Sequence, residues 1–366
     1  MSRRASPVMA SVFVFVSLVS APWAPTVLHP PSPSSMVPTL GTIRPLTLDR
    51  PIGEQVQVAA DGEDLWVLDA SEGRLHVFDA RGKWKKELKG AESNVPIGEV
   101  TNMAASSGWL GLVEGEDRIL LLSKDGRVKR LRVPHDWYPS VGFFFTPYRL
   151  FFTYLSWMGP GRELDRDPRG RYATLLSTDW VGKNPKEYES VQAGTAAAKA
   201  AGLWNAYSNC AEWRGHGWVV ARSLPFQLYL FSAKGELLRR YPERPPSGLP
   251  PLPTDSKEHT LNLLATDRVI GLVPAGDYLG VVWQRRTGGK NHVEIEWRDG
   301  RWEPMGRHEV AFPKMLTQWD ILTVAAEQEG RRVVLLLYSM QGFYASRTSL
   351  YEWPFLASEE RMATAR

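Results

Sequence analysis

The stretch VQVAADGEDLWVLDASEGRLHVFDARGKWKKEL, residues 56–88, decides the fold. It divides into four short runs rich in Val, Leu, Phe and Trp, at 56–60, 64–69, 74–79 and 83–88, separated by turns containing Gly, Asp and Ser. The third run alternates: Leu75, Val77 and Asp79 share one side, His76 and Phe78 the other, which is the period of a strand whose two faces meet different surroundings. Between the third and fourth runs, Asp79 to Gly82 makes a tight turn in which the glycine supplies the positive φ. Four antiparallel strands in about 33 to 40 residues are the content of one propeller blade.

The unit recurs along the chain. Third-to-fourth turns of the same kind stand in LLLSKDGRVKRL (120–131), LYLFSAKGELLRR (228–240) and EIEWRDGRWEPM (294–305), with Gly126, Gly235 and Gly300 in the place of Gly82. A looser copy is TLLSTDWVGKNPKEY (174–188), with Gly182, so the spacings along the chain are 44, 56, 53 and 65 residues. First-to-second hairpins recur at VTNMAASSGWLGLVEG (100–115), VGFFFTPYRLFFTYL (141–155), NCAEWRGHGWVVARS (209–223) and RVIGLVPAGDYLGVVWQ (268–284). A sixth unit, ILTVAAEQEGRRVVLLLYS (321–339) and SRTSLYEWPF (346–355), lacks a fourth strand, while RPLTL (44–48) is a strand without a unit. The two ends complete each other. The expectation is all-β: a six-bladed β-propeller over 43–356, closed by the N-terminal strand joining the last blade so that no edge stays open. A seven-bladed ring is the alternative, if 185–206 hides a degenerate blade, and Ala193–Leu203 is the one segment with helical composition.

Composition bounds the reading. The 366 residues are 43% hydrophobic, 23% charged and 11% aromatic, which excludes wholesale disorder and collagen-like repeats. A net charge of +4 is too mild to indicate a nucleic-acid partner, which needs clustered positive charge. A single cysteine, Cys210, rules out an internal disulfide and every multi-cysteine metal site. Residues 1–24 carry Arg3 and Arg4, an apolar stretch from Val8 to Ala21, then small residues and prolines, the anatomy of a secretory signal. A stretch of 14 residues falls short of the roughly 20 of a spanning helix, so the expectation is an exported protein, periplasmic or extracellular, with no integral membrane segment after cleavage; retention of the signal as an anchor stays open. Residues 25–42, with Pro25, Pro30, Pro31, Pro33 and Pro38, are a Pro/Ser-rich linker, and 357–366 a polar tail. The folded part is read as a monomer, with Cys210 inside the core as a small hydrophobe.

The segment EDLWVLDASEGRLHVFDARGKWKKEL (63–88) resembles the NHL-type repeat of bacterial six-bladed β-propellers, in which a Leu-aromatic-Val-x-Asp strand leads through a short turn into an Arg-Leu-x-Val-Phe strand and a glycine turn. The later units match this pattern progressively less well. The resemblance implies a fold and a binding scaffold more firmly than an activity.

In up-and-down blades the connections from strand two to three and from strand four to the next blade lie on one face of the ring. The long segments, 156–170, 185–208 and 242–260, all belong to that class, and the turns of the other class are short. Long loops on a rigid scaffold commonly carry function, although tolerated padding has the same appearance. Trp157, Arg162, Arg166, Trp180, Trp204 and Tyr207 lie in these loops or the adjoining strand ends, and Trp and Arg are enriched where partners bind. Trp66, Trp109, Trp218 and Trp283, in second strands, are expected in the core. The seven histidines form no i, i+4 pair, and no P-loop, G-x-S-x-G elbow, dinucleotide fingerprint or calcium loop is present. The leading expectation is therefore a non-enzymatic module without cofactor that binds a protein, peptide or glycan on the long-loop face. The alternative is a hydrolase or lactonase dependent on a divalent cation. Six-bladed enzymes such as the gluconolactonase-like hydrolases hold Ca2+ at the channel mouth, and Glu54, Glu99, Asn102 and Asn209, at or near the starts of first strands, are the candidate oxygen ligands there. That family's first-blade motif is absent from this chain.

Overall fold

The computed structural model describes residues 37–89, 100–114, 118–132, 142–153, 171–192, 209–222, 226–242, 267–287, 290–316, 320–328, 331–341 and 345–356. Among them there is no helix, and the strands form six four-stranded antiparallel sheets. A short closing strand, β1 (Arg44–Pro45), precedes blade 1: β2 (Val56–Asp61), β3 (Asp64–Asp69), β4 (Arg74–Phe78) and β5 (Trp84–Lys89). Blade 2 is β6 (Val100–Ser106), β7 (Trp109–Glu114), β8 (Arg118–Ser123) and β9 (Val128–Arg132). Blade 3 follows as β10 (Gly142–Phe145), β11 (Arg149–Thr153), β12 (Arg171–Asp179) and β13 (Lys186–Gln192), and blade 4 as β14 (Asn209–Trp213), β15 (Gly217–Arg222), β16 (Gln227–Phe231) and β17 (Leu237–Tyr241). Blade 5 is β18 (Arg268–Ala275), β19 (Tyr278–Thr287), β20 (Lys290–Arg298) and β21 (Pro304–Ala311). The last sheet runs β22 (Asp320–Gln328), β23 (Arg332–Gln341), β24 (Ala345–Pro354) and then β1, so the first strand of the chain is the fourth strand of blade 6.

This is the six-bladed, N-terminally closed ring that the repeat arithmetic implies, with sequence-derived strand limits in blade 1 within one residue of those observed. The seven-bladed alternative is not realised: Lys186–Gln192, placed by sequence in a long loop, is the fourth strand of blade 3. The segment read as helical, 193–203, lies outside the described residues.

Period-two alternation explains how the sheets stack. In β3, Trp66 and Leu68 face blade 2, whereas Leu65 and Val67 face blade 6. In β8, Leu120 and Leu122 pack on blade 1, and Ile119 and Leu121 on blade 3. Each blade is thus apolar on both faces, as a sheet buried between two others must be. Six hydrophobic clusters result, one between each pair of neighbours around the ring. The tryptophan assignment needs correction. Trp66 is buried as expected, but Trp109, Trp218 and Trp283 are only half-buried, and the deepest indoles are instead Trp213, Trp297, Trp302 and Trp353. Cys210, in β14, packs against the cluster between blades 3 and 4. Burial there pushes its thiol well above the ordinary range, helped by the Glu212 carboxylate.

Five third-to-fourth turns share one hydrogen-bond plan. The first turn residue donates its N–H to the carbonyl four residues on and accepts the N–H of the residue three on: Gly82 N to Asp79 O at 3.0 Å and Asp79 N to Lys83 O at 2.8 Å in blade 1, with equivalents at 123–127, 179–183, 232–236 and 299–303. Where the first residue is aspartate, its Oδ1 accepts two further backbone N–H groups, as at Asp79, Asp179 and Asp299. Gly82 has φ +79, and a Cβ there would meet the Thr47 carbonyl oxygen at 2.6 Å, so both backbone and space demand glycine. In blade 5 the position is not Gly300, as spacing suggested, but Trp302: its N–H bonds Asp299 O at 2.8 Å and its φ is +70. A bulky residue is held in the left-handed region because its indole, 1% exposed, fills the boundary between blades 4 and 5 beside Tyr241 and Arg239.

Closure rests on more than the two residues of β1. Leu40 bridges Phe355, Gly41 N bonds Pro354 O at 2.8 Å, Leu46 N bonds Leu350 O at 3.0 Å, and the Trp353 indole N–H bonds Gly41 O at 2.6 Å. Arg44 and Arg332 converge on Glu352 at 2.7 and 2.6 Å. Burial alone raises the pKa of that carboxyl, but the two guanidinium groups outweigh it and hold Glu352 below the usual range. The chain then crosses to blade 1, where Asp49 receives the Trp84 N–H at 2.7 Å.

Candidate binding face

Strand direction assigns every connection to a face. First strands begin, second strands end, third strands begin and fourth strands end on one side of the ring. On that side lie the connections spanning 154–170, 193–208 and 243–266, whose residues are outside the described set; the turns at 61–64, 106–109, 146–149, 213–217 and 275–278 lie on the other. Trp157, Arg162, Arg166, Trp204, Tyr207 and Glu99 all lie outside the described residues.

Trp180 is described, and it stands on the short-turn face. It follows β12 in the 179–183 turn, with its indole N–H on Thr146 O at 2.9 Å and its ring edge-on to Trp109 and Phe145. Half-buried between blades 2 and 3, it is separated by the height of the sheet from the loops with which the sequence grouped it.

Glu54, Asn102 and Asn209 do lie on the long-connection side, at or near the starts of β2, β6 and β14. The backbone of Glu54 is fixed from two blades. Its carbonyl accepts the Thr348 N–H at 2.7 Å and the Thr348 hydroxyl at 2.9 Å, and the preceding Gly53 N–H is bound by Asp69 at 2.7 Å; the residue is exposed. Asn102 Oδ1 accepts the Met103 N–H at 2.8 Å, so that oxygen is already engaged within its own strand.

Asp69 organises this corner. Its carboxylate accepts N–H groups of Gly53, Ser71 and Glu72 and the Ser71 hydroxyl, all between 2.5 and 3.1 Å. A Cβ on Gly53 would lie 2.6 Å from both carboxylate oxygens, so only glycine permits the approach. Burial pushes the Asp69 carboxyl up, but the hydrogen bonds together pull it below the ordinary value. A folded-state pKa below the unfolded one stabilises above the ordinary aspartate range and is lost as pH falls through the folded value. The urea midpoint of wild type is therefore expected to exceed that of Asp69→Asn at pH 7, with the gap closing as pH is lowered toward 3; a gap independent of pH would contradict this role.

Sequence reasoning missed a set of buried polar side chains at strand ends on the same face. They are Arg222 and Gln227 in blade 4, Arg268 and Gln284 in blade 5, and Asp320 in blade 6, all 8% exposed or less. Arg268 lays Nε and one terminal nitrogen on Gln284 Oε1 at 3.0 and 2.6 Å, Gln284 continues to Asn291 at 3.2 Å, and Asn291 to Leu316 O at 3.3 Å. The Ser339 hydroxyl donates to Asp320, with Lys314 3.6 Å from the same carboxylate. Charges and amides are costly to bury and persist when hydrogen-bonded, so blades 4 to 6 hold a fixed polar layer on the long-connection side. The only sequence signal is position: each stands at the margin of a connection.

Among the described residues, one histidine–carboxylate group, His292, Glu294 and Glu309, brings three ligand atoms within 4.8 Å of one another. Glu294 is 1% exposed and already faces Arg285 at 3.0 Å and Arg307 at 3.4 Å. Two guanidinium groups against one buried carboxylate make an ion-pair network, a poor host for a cation.

Fold and face together define a six-bladed β-propeller with a short-turn side and a long-connection side. No family model matches the chain, and no curated protein matches it by sequence. Among solved structures it is similar to a member of the DUF4221 family from Bacteroides vulgatus (TM-score 0.51, 10% identity, covering 88% of this chain and 98% of that one). It is also similar to a protein of Bacteroides fragilis named as exported (TM-score 0.49, 12% identity, 87% and 95% covered) and to a luciferin-regenerating enzyme (0.40, 12%, 84% and 92%). At such identities the likeness concerns the fold alone.

Proposed function

We propose that the chain is an exported, non-enzymatic recognition module of NHL-like type, which binds a protein, peptide or glycan on its long-connection face. The observation that carries this reading is the segregation of connections. The three longest leave one side of a ring whose other side is tied into short hydrogen-bonded turns. A polar floor of Arg222, Gln227, Arg268, Gln284 and Asp320 lies at the same strand ends. A closed propeller loses little stability when a loop lengthens. Export rests on the charged, apolar and small-residue order of residues 1–24.

The test is capture of partners from the exported fraction of the native host by wild type and by a variant in which 156–170 is cut to a short turn. Loss of specific partners from the variant, with an unchanged melting temperature, supports the reading; equal recovery by both proteins contradicts it. No second reading is favoured by a specific observation. The calcium-dependent alternative places Glu54 and Asn102 on the right side, but Asn102 spends its oxygen locally.

A further inference from the structure

The formal charge of +4 conceals a clustered one. Five equivalent segments of the ring, each a third-to-fourth turn with its outer strand, differ sharply. Blade 1 (79–89) has five basic residues against two acidic, and blade 2 (123–132) five against one. Blades 3 (179–192) and 5 (299–311) each have two against three, and blade 4 (232–241) three against one. Two adjacent rims therefore carry +3 and +4 while the remaining chain is net negative.

Part of this charge is balanced. Lys85 pairs with Asp64 at 2.6 Å, Lys124 with Asp61 at 3.1 Å, and Arg127 with Asp125 at 2.9 Å. Lys83, Lys86 and Lys129 are exposed and form no ion pair among the described residues; Lys86 and Lys129 lie over the rings of Trp66 and of Trp109 and Trp180. Outer edge strands carry lysines to discourage strand pairing, yet blades 3 and 5 manage their edges without a net excess. Apolar side chains are exposed on the same side: Trp84 36% and Val128 40% on the two basic strands, and Tyr148 58% and Val181 66% in the neighbouring turns of blade 3.

We propose that this edge, the short-turn side of blades 1 to 3, docks the propeller on an anionic lipid membrane. Clustered lysines and arginines each add attraction toward a diffuse negative lipid surface. Exposed Trp, Tyr and Val beside them match the headgroup boundary of a bilayer, where aromatic rings settle. Docking on this edge leaves the long-connection face directed away from the surface. The inference is independent of what that face binds.

Co-sedimentation of the full chain with vesicles of phosphatidylcholine alone, and with about a third phosphatidylglycerol, tests it. Each basic residue near an anionic surface contributes about fivefold to partition. Wild type is expected to prefer the anionic vesicles, an excess that falls as salt is raised. The triple variant K83Q/K86Q/K129Q should lose about 100-fold of that excess by the same per-residue factor. The control K186Q/K234Q/R301Q, which removes three charges from the rims of blades 3 to 5, should keep most of it. Native-like near-ultraviolet dichroism of both variants secures the comparison. Equal binding to both vesicle types, or equal loss in both triples, overturns the proposal. So does a hold on a soluble polyanion such as heparin that persists at salt concentrations releasing the vesicles.

Discussion

Trp302→Ala is expected to cost about 3–5 kcal/mol of stability, the range for removing a fully buried aromatic side chain. The indole is 1% exposed and shares the cluster joining blades 4 and 5 with Trp213 and Leu272, and its backbone carbonyl receives Arg298 at 2.8 Å. The backbone makes a second, sharper expectation. With φ at +70, any residue with a Cβ carries strain of about 1–2 kcal/mol, so Trp302→Gly should be more stable than Trp302→Ala, the reverse of the usual order within sheets. Urea unfolding of the two variants checks the sign, and an alanine variant equal to or better than the glycine one would refute the turn assignment.

Disruption of the closing segment should act on the whole ring. Leu40 and Ile43 are 0% and 2% exposed within the cluster of blades 5 and 6, and Leu46 and Leu48 pack between blades 6 and 1. At about 1.5–3 kcal/mol for each fully buried aliphatic side chain, this segment contributes an amount comparable to the net stability of a domain, about 5–15 kcal/mol. Ile43→Asp, which also buries an unpaired charge, is expected to lower the melting temperature strongly and to promote association through the uncovered edge of β24. Scanning calorimetry with light scattering measures both. An unchanged melting temperature would mean that blade 6 is complete without its N-terminal strand.

Architecture was legible in the sequence because a blade is a local object. The alternation of Leu75 to Phe78, the glycine turn at Gly82 and the spare strand at 44–48 each obey short-range rules, and repetition of the unit gives the ring. What failed was what local rules forbid. Trp302 occupies a position that sequence reasoning reserves for glycine, and Gly300, two residues earlier, offered a false register. Trp180 belongs to the Gly182 turn, a third-to-fourth connection on the short-turn side, although in sequence it runs directly into the long segment that begins at Pro185. Arg268 and Asp320 are charged residues that sequence assigns to water, and only the packing shows them buried. The clustering on blades 1 and 2 was invisible in a whole-chain charge, since the excess there is offset elsewhere.

The long-connection face is held to recognise rather than hydrolyse, and calorimetric titration with calcium, before and after chelation, divides these most directly. No heat and no shift in melting temperature are expected at millimolar calcium, because binding to the folded state must raise apparent stability. Saturable calcium binding that Glu54→Gln abolishes while leaving the fold intact would contradict it and place a cation at the channel mouth.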